Sequence, residues 1–229
     1  MSYPYSLVVF DWEGTIADPL GALVHYLWQE ANQQGWAAFS QSQVRHHLLE
    51  GVPRAVKELF PGLSEQQLHA MVERAERMVS QERDKVFVFS GVKTLLQQLQ
   101  MANIACAIAS NKGQMSLEKA LKNSELNSYI SVVRCAGVCP PKPHPAMLQE
   151  ILDFFQVEPS KAVMIGDSFA DVEMARSIHV DSIAVDWYAS GAWHPDRMGA
   201  KAVVSTIEQL SDLLGVQLSA SGEKVEQGV

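Results

Sequence analysis

The chain has 229 residues, 47% of them hydrophobic, and a formal net charge of −8. That is enough for a sizeable core and for one large domain, or a large one with a small companion. The acidic balance and the lack of any dense Lys/Arg cluster exclude a nucleic-acid surface, and no apolar run approaches the ~20 residues that span a bilayer.

The N-terminus, MSYPYSLVVF, has no basic region ahead of a long apolar segment and does not read as a signal peptide. Residues Leu7–Phe10 read as a buried strand ending at Asp11. Asp18-Pro19 has the form of an N-cap with Pro at the first helical position. Leu20, Leu23, Val24, Leu27 and Ala31 follow at helical spacing, and Gly35 can end that helix. Residues 44–49 and 54–60 are short helix candidates. Ser64 and Gln67 form a capping box for a long helix whose apolar face runs Leu68, Met71, Val72, Ala75, Met78, Val79. From 18 to 85 only helices are predicted.

The pattern then alternates. A helix is marked by Val92, Leu95, Leu96 and Leu99, and an apolar strand over 104–109 ends at Ser110-Asn111. A helix over 115–121 and a short strand over 131–133 follow. Met147, Leu148, Ile151, Leu152 and Phe155 share one helical face. The strand over 162–165 ends at Gly166-Asp167. Val172, Ala175 and Ile178 mark a helix, 182–185 a strand, and Ser205 with Glu208 a capping box for a last helix ending near Leu214. The three cysteines, an odd number, point to reduced thiols and a cytoplasmic setting. Cys135, Cys139 and His144 make only an incomplete zinc set, and read as incidental core or loop residues.

Strands alternating with helices imply an α/β fold, a doubly wound parallel sheet. The strands are apolar runs, as expected when both faces are buried. The expected division is a core of residues 1–17 plus 86–215, a small inserted α-helical cap over 18–85, and a polar, disordered tail over 216–229. Ligands bind such sheets at the carboxyl ends of the strands. Asp11, Ser110 and Asp167 each follow a strand directly, so residues distant in sequence should converge.

A carboxylate beside Mg²⁺ can attack phosphorus and form an aspartyl phosphate, and Asp11 has the position for it. Asp167 and Asp171 offer hard oxygen ligands for Mg²⁺. Ser110 supplies a hydroxyl and Asn111 an amide for phosphate oxygens. Lys142, among Pro140, Pro141, Pro143 and Pro145, supplies a compact positive charge against a transferring phosphoryl group. Each of these residues alone has an ordinary structural reading. Their order and shared strand-end placement carry the inference.

On these residues the sequence resembles the haloacid dehalogenase superfamily, in its phosphatase branch with a helical cap. DWEGT (11–15) is similar to the nucleophile motif, usually DxDGT. IASN (108–111), PKPHP (141–145) and IGDSFAD (165–171) are similar to the second, third and fourth motifs. The resemblance runs from about residue 7 to 214, with the cap matched by helical pattern alone, and is strongest toward phosphoglycolate phosphatases and related small-phosphate hydrolases. It implies Asp11 as nucleophile. It further implies Mg²⁺ held by Asp11, the backbone carbonyl of Glu13 and Asp167, with Asp171 as ligand or support behind the ligands. The implied partner is a small phosphorylated metabolite such as phosphoglycolate or a sugar phosphate, and the implied protein a monomer or homodimer. Arg54, in the cap, is a candidate for a remote anionic group on the substrate, or else a solvated helix-start residue. His46 and His47 are weaker candidates.

Two positions depart from the family pattern. The second motif acid, which in family phosphatases protonates the leaving oxygen and then activates water, is here Glu13. Its carboxyl lies one C–C bond, ~1.5 Å, further out. Phosphotransfer, phosphomutase action or slow regulatory phosphate binding therefore stand beside hydrolysis as alternatives. His179 stands where the family usually has a helix-ending Gly, and is expected in the left-handed conformation as a structural residue.

Overall fold

The computed structural model describes residues 3–35, 41–48, 51–81, 84–188 and 199–218. Among these residues one sheet forms from β1 (Leu7–Phe10), β2 (Ala105–Gly113), β3 (Val132–Ala136), β4 (Ala162–Gly166), β5 (Asp181–Val185) and β6 (Ala202–Val204). Every pairing is parallel and the order is β3-β2-β1-β4-β5-β6. This is a doubly wound α/β sheet whose strand order reverses beside β1.

The reason lies in the strand sequences. β1 and β4 are buried at every residue, and successive side chains leave opposite faces of the sheet. Val8 and Phe10 join Val163 and Ile165 in one core cluster. That face is covered by α5 (Val92–Met101), α6 (Gln114–Asn123) and α9 (Ile207–Leu214), through Leu95, Leu96, Leu117 and Leu210 among others. Leu7 and Val9 join Met164 in a second cluster, covered by α7 (Ala146–Phe155) and α8 (Phe169–Ser177) through Met147, Ile151 and Met174. Burial on both faces is what selects uninterrupted apolar strands.

Among the described residues four helices run between β1 and α5: α1 (Gly21–Gln34), α2 (Gln41–Leu48), α3 (Val52–Leu59) and α4 (Glu65–Gln81). They pack on each other through Leu23, Leu27, Val44, Val56 and Met71, a cluster separate from the two that flank the sheet. The chain leaves and re-enters the sheet along one path. Asp18 N donates to Phe87 O at 2.8 Å, and Phe89 N donates to Ile16 O at 3.0 Å. These bonds bracket an antiparallel bridge between Ala17 and Val88.

Local signals held or shifted for identifiable reasons. Ser64 and Gln67 exchange cap bonds as expected, Gly35 has φ 65° and His179 has φ 61°. α1 begins at Gly21, not Pro19, because the Asp18 carboxylate and carbonyl bond the N–H groups of Leu20 and Gly21 in a separate turn. The last helix is capped by Thr206, not Ser205: Thr206 Oγ1 accepts from Gln209 N and Gln209 Oε1 accepts from Ser205 N. Ser205-x-x-Glu208 and Thr206-x-x-Gln209 both fit the capping-box pattern, so sequence alone does not separate them. β6 was not predicted, and β2 runs past Ser110 to Gly113 with a register shift between those residues. Val216 is buried and Leu218 packs against the core, inside the stretch expected as a tail. Residues 219–229, and Leu49 of the predicted helix over 44–49, lie outside the described residues.

Candidate active site

β1 lies between β2 and β4, so the residues after these strands emerge side by side. Asp11 N donates to Ile165 O at 2.8 Å, extending the ladder one residue and setting Asp11 beside the end of β4. Two glycines make the close approach possible. Gly14 has φ +80°, and a Cβ there would stand 1.9 Å from Asp167 Oδ2. A Cβ on Gly166 would stand 2.3 Å from Asp171 Cγ. Neither position has room for a side chain while the aspartates keep their places.

Lys142 is the hub. Its Nζ donates to Asp11 Oδ1 at 2.7 Å and to Asp171 Oδ1 at 2.6 Å, and all three residues are buried. The other Asp171 oxygen accepts from the backbone N–H and the hydroxyl of Ser168. Both oxygens of Asp171 are thus engaged by protein donors, an arrangement that holds the lysine in place. Asn111 fixes the lysine backbone: its Oδ1 accepts from Lys142 N at 2.8 Å and its Nδ2 donates to Lys142 O at 3.3 Å. The amide expected to face phosphate therefore serves the main chain of Lys142. Ser110 is buried, and its Oγ accepts from Lys112 N at 3.3 Å.

Ligand oxygens of Asp11, Asp167 and Asp171 all lie within 4.8 Å of one another. Three carboxylates face one ammonium, and the imbalance appears in the acidities of Asp167 and Asp11. Burial, then the charges of Asp11 and Asp171, push Asp167 up to about 6. Burial also raises Asp11 and Asp171 adds to it, against the opposing pull of Lys142. Burial alone would lower the Lys142 ammonium, but Asp171 and Asp11 together hold it above its ordinary value. A crowded set of hard oxygens under mutual repulsion fits a divalent cation such as Mg²⁺. Among the described residues this is the one such cluster of acids, histidines and cysteines; Cys106, Cys135 and Cys139 are free and buried.

Glu13 stands apart. Its side chain is 58% exposed, and its Oε1 receives Lys112 Nζ at 2.7 Å. Both line a cleft of about 510 Å³ that continues past Asp18, Val79 of α4, Lys85 and Lys119 of α6. Arg54 is not among the described residues lining it; its Nε donates to Glu58 Oε1 at 3.0 Å on the surface of α3. His47 pairs with the same Glu58. Where the chain leaves the sheet, Asp18 is fully enclosed. It accepts from Arg45 Nε of α2 at 2.9 Å, from Tyr188 OH at 2.6 Å and from Leu20 N at 3.0 Å. Sequence reasoning missed Lys112, Arg45 and Tyr188. For Lys112 the one available signal was its place directly after Ser110-Asn111.

The chain is similar to the pyrophosphatase PpaX of Bacillus mycoides, 22% identical over 222 residues that cover 94% of this chain and 98% of that relative. It is 26% identical over 222 residues to the plasmid-encoded phosphoglycolate phosphatase of Cupriavidus necator, covering 93% and 95%. A haloacid dehalogenase superfamily hydrolase, subfamily IA, from Geobacter sulfurreducens shares the fold, with a TM-score of 0.58 and 23% identity over 93% of this chain and 98% of that one. The family model described as haloacid dehalogenase-like hydrolase matches residues 8–185, from within β1 to the end of β5. That span includes every strand whose end carries a residue of the aspartate and lysine cluster, and the chain belongs to the haloacid dehalogenase-like hydrolase family.

Proposed function

We propose that the protein is a Mg²⁺-dependent phosphomonoester hydrolase acting on a small phosphorylated metabolite through an aspartyl phosphate on Asp11. The observation that carries this reading is the buried Asp11–Lys142–Asp171 arrangement with Asp167 beside it. The names of the relatives, a pyrophosphatase and a phosphoglycolate phosphatase, support the substrate class.

Lys142 occupies Asp11 Oδ1, so we assign Oδ2 as the oxygen that attacks phosphorus. The new bond is Oδ2–P; the bond that breaks joins phosphorus to the ester oxygen, which takes a proton from Glu13. Water then attacks the phosphorus of the acyl phosphate, Glu13 takes its proton, and Asp11 is regenerated as free phosphate leaves. Lys142 faces the charge that builds on the phosphoryl oxygens, and its two aspartates prevent it from turning away. Ser110 is the hydroxyl assigned to a phosphate oxygen. Asp11, Asp167 and the Glu13 carbonyl would hold Mg²⁺, which would supply positive charge for the phosphate oxygens. Asp171 is assigned to positioning Lys142, because its oxygens are already engaged. Residues 18–85 act as the cap that covers the cleft and chooses the substrate.

A second reading, transfer to an organic acceptor, would use the same groups, with Glu13 taking the acceptor's proton in place of water's. The two are separated by assaying phosphorylated metabolites with Mg²⁺ and following free phosphate against phosphorylated acceptor. Free phosphate from the parent chain and none from folded Asp11→Asn is the expected result. Phosphate release that persists in Asp11→Asn contradicts the proposal.

A further inference from the structure

Lys112 has no role in the mechanism above, yet it is held beside the site. Its N–H bonds Ser110 Oγ, its neighbour Asn111 is tied to Lys142, and its ammonium meets the Glu13 carboxylate at 2.7 Å. The Lys112 side chain is 26% exposed and opens onto the cleft between the sheet and α4. The other cleft lysines differ. Lys119 is paired with Asp84, and Lys85 stands 4.7 Å from the centre of the Phe87 ring. Lys112 alone joins the cleft to both the phosphate-binding candidate Ser110 and the acid/base candidate Glu13.

The pair is half open to solvent, and such pairs contribute little. A substrate anion reaching Lys112 can therefore take the place of Glu13 at small cost. The exchange has two consequences: the substrate gains a charge-assisted hydrogen bond, and the Glu13 carboxyl group leaves the lysine, free to carry the proton that passes to the leaving oxygen and is later taken back from water. The longer side chain of Glu13 matches this exchange, since it lets the carboxylate reach Lys112 when no substrate is bound.

We propose that Lys112 is the specificity-determining residue for a second anionic group on the substrate, a carboxylate or a second phosphate close to the transferred one, and that this group displaces Glu13 from the Lys112 ammonium. The proposal rests on the phosphomonoester reading. It favours compounds in which two anionic groups are joined by a short link over esters of similar size that carry the phosphate alone.

The test compares three small phosphate compounds, two esters and one anhydride, in the full chain with saturating Mg²⁺. Phosphoglycolate carries a neighbouring carboxylate, inorganic pyrophosphate a second phosphate, and ethyl phosphate neither. The parent should prefer at least one of the first two in kcat/KM. In Lys112→Met that preference over ethyl phosphate should fall about ten- to hundred-fold, mainly through KM, as expected for loss of a hydrogen bond between charged groups. Lys112→Arg should recover part of it. Whichever substrate loses its advantage identifies the anion as carboxylate or phosphate. Equal losses on all three compounds, or no change, overturn the proposal. Binding of phosphoglycolate and ethyl phosphate to Asp11→Asn, with and without Lys112→Met, gives the same comparison without turnover. A parent chain that hydrolyses none of the three while Lys112→Met selectively weakens phosphoglycolate binding would therefore count against the hydrolase reading and leave this one standing.

Discussion

Replacement of Glu13 separates chemistry from stability. The Glu13 carboxyl meets Lys112 at 2.7 Å and is 58% exposed. Glu13→Asp withdraws the carboxyl by one C–C bond, ~1.5 Å, which stretches that contact to about 4 Å, outside hydrogen-bonding range. An exposed pair of this kind contributes at most about 1 kcal/mol. The melting temperature of a chain this long should then move by no more than about 2–4 °C. Catalysis responds more steeply. General acid–base transfer contributes about 10²–10⁴-fold, and a misplacement near 1 Å can cost on the order of 10²-fold. Glu13→Gln should therefore lower kcat by about 10²-fold or more, and Glu13→Asp should lower it too, both with nearly parental unfolding curves. Steady-state phosphate release at saturating Mg²⁺ on the best substrate, with thermal unfolding in parallel, measures both quantities. A rise in kcat in Glu13→Asp, with little change in Glu13→Gln, would refute the assignment and make the longer side chain a brake.

The Asp18 clamp should be a matter of stability. Asp18→Ala leaves the Arg45 guanidinium without its carboxylate in a largely enclosed place, and breaking a buried pair costs about 3–5 kcal/mol. Arg45 keeps 18% exposure, so the low end applies, ~3 kcal/mol, or about 6–12 °C in melting temperature. Arg134→Ala, which breaks a more exposed pair with Glu150, should cost under ~1 kcal/mol, and equal shifts in the two variants would contradict the account. Asp167 predicts a pH dependence. Held at about 6 against an ordinary value of 3.8, it keeps in the folded chain a proton that the unfolded chain has lost. Stability without metal should therefore fall as pH rises through that window, and Asp167→Asn should flatten the fall. Urea unfolding in EDTA across the window checks this, and identical pH profiles for parent and variant would rule it out.

The parts of the molecule legible in sequence are those governed by local periodicity. β1 could be read because Leu7–Phe10 is buried on both faces, and the α4 cap because Ser64 and Gln67 lie three residues apart on one helix start. Once the ends of β1 and β4 were in place, the convergence of Asp11 and Asp167 followed from sheet geometry. The residues that escaped depend on contacts between distant positions. Lys112 meets Glu13 across 99 residues, and Tyr188 meets Asp18 across 170. Asp18 before Pro19 has every local mark of a helix cap, while its carboxylate answers mainly to Arg45 and Tyr188. Asn111 looked free to bind phosphate because its tie to the backbone of Lys142 exists only in the folded chain. β6 is three residues at the edge of the sheet, too short to show a period.

The central claim is a covalent bond between Asp11 and the transferred phosphoryl group. Rapid mixing of the parent chain with its best substrate and Mg²⁺, acid quenching and peptide mass analysis test it directly. The account predicts that the peptide containing Asp11 transiently gains the mass of one phosphoryl group, and that this gain is absent in Asp11→Asn. Rapid phosphate release with no phosphoryl group on that peptide at any time within the first turnover, or a phosphoryl group on a different residue, would contradict it.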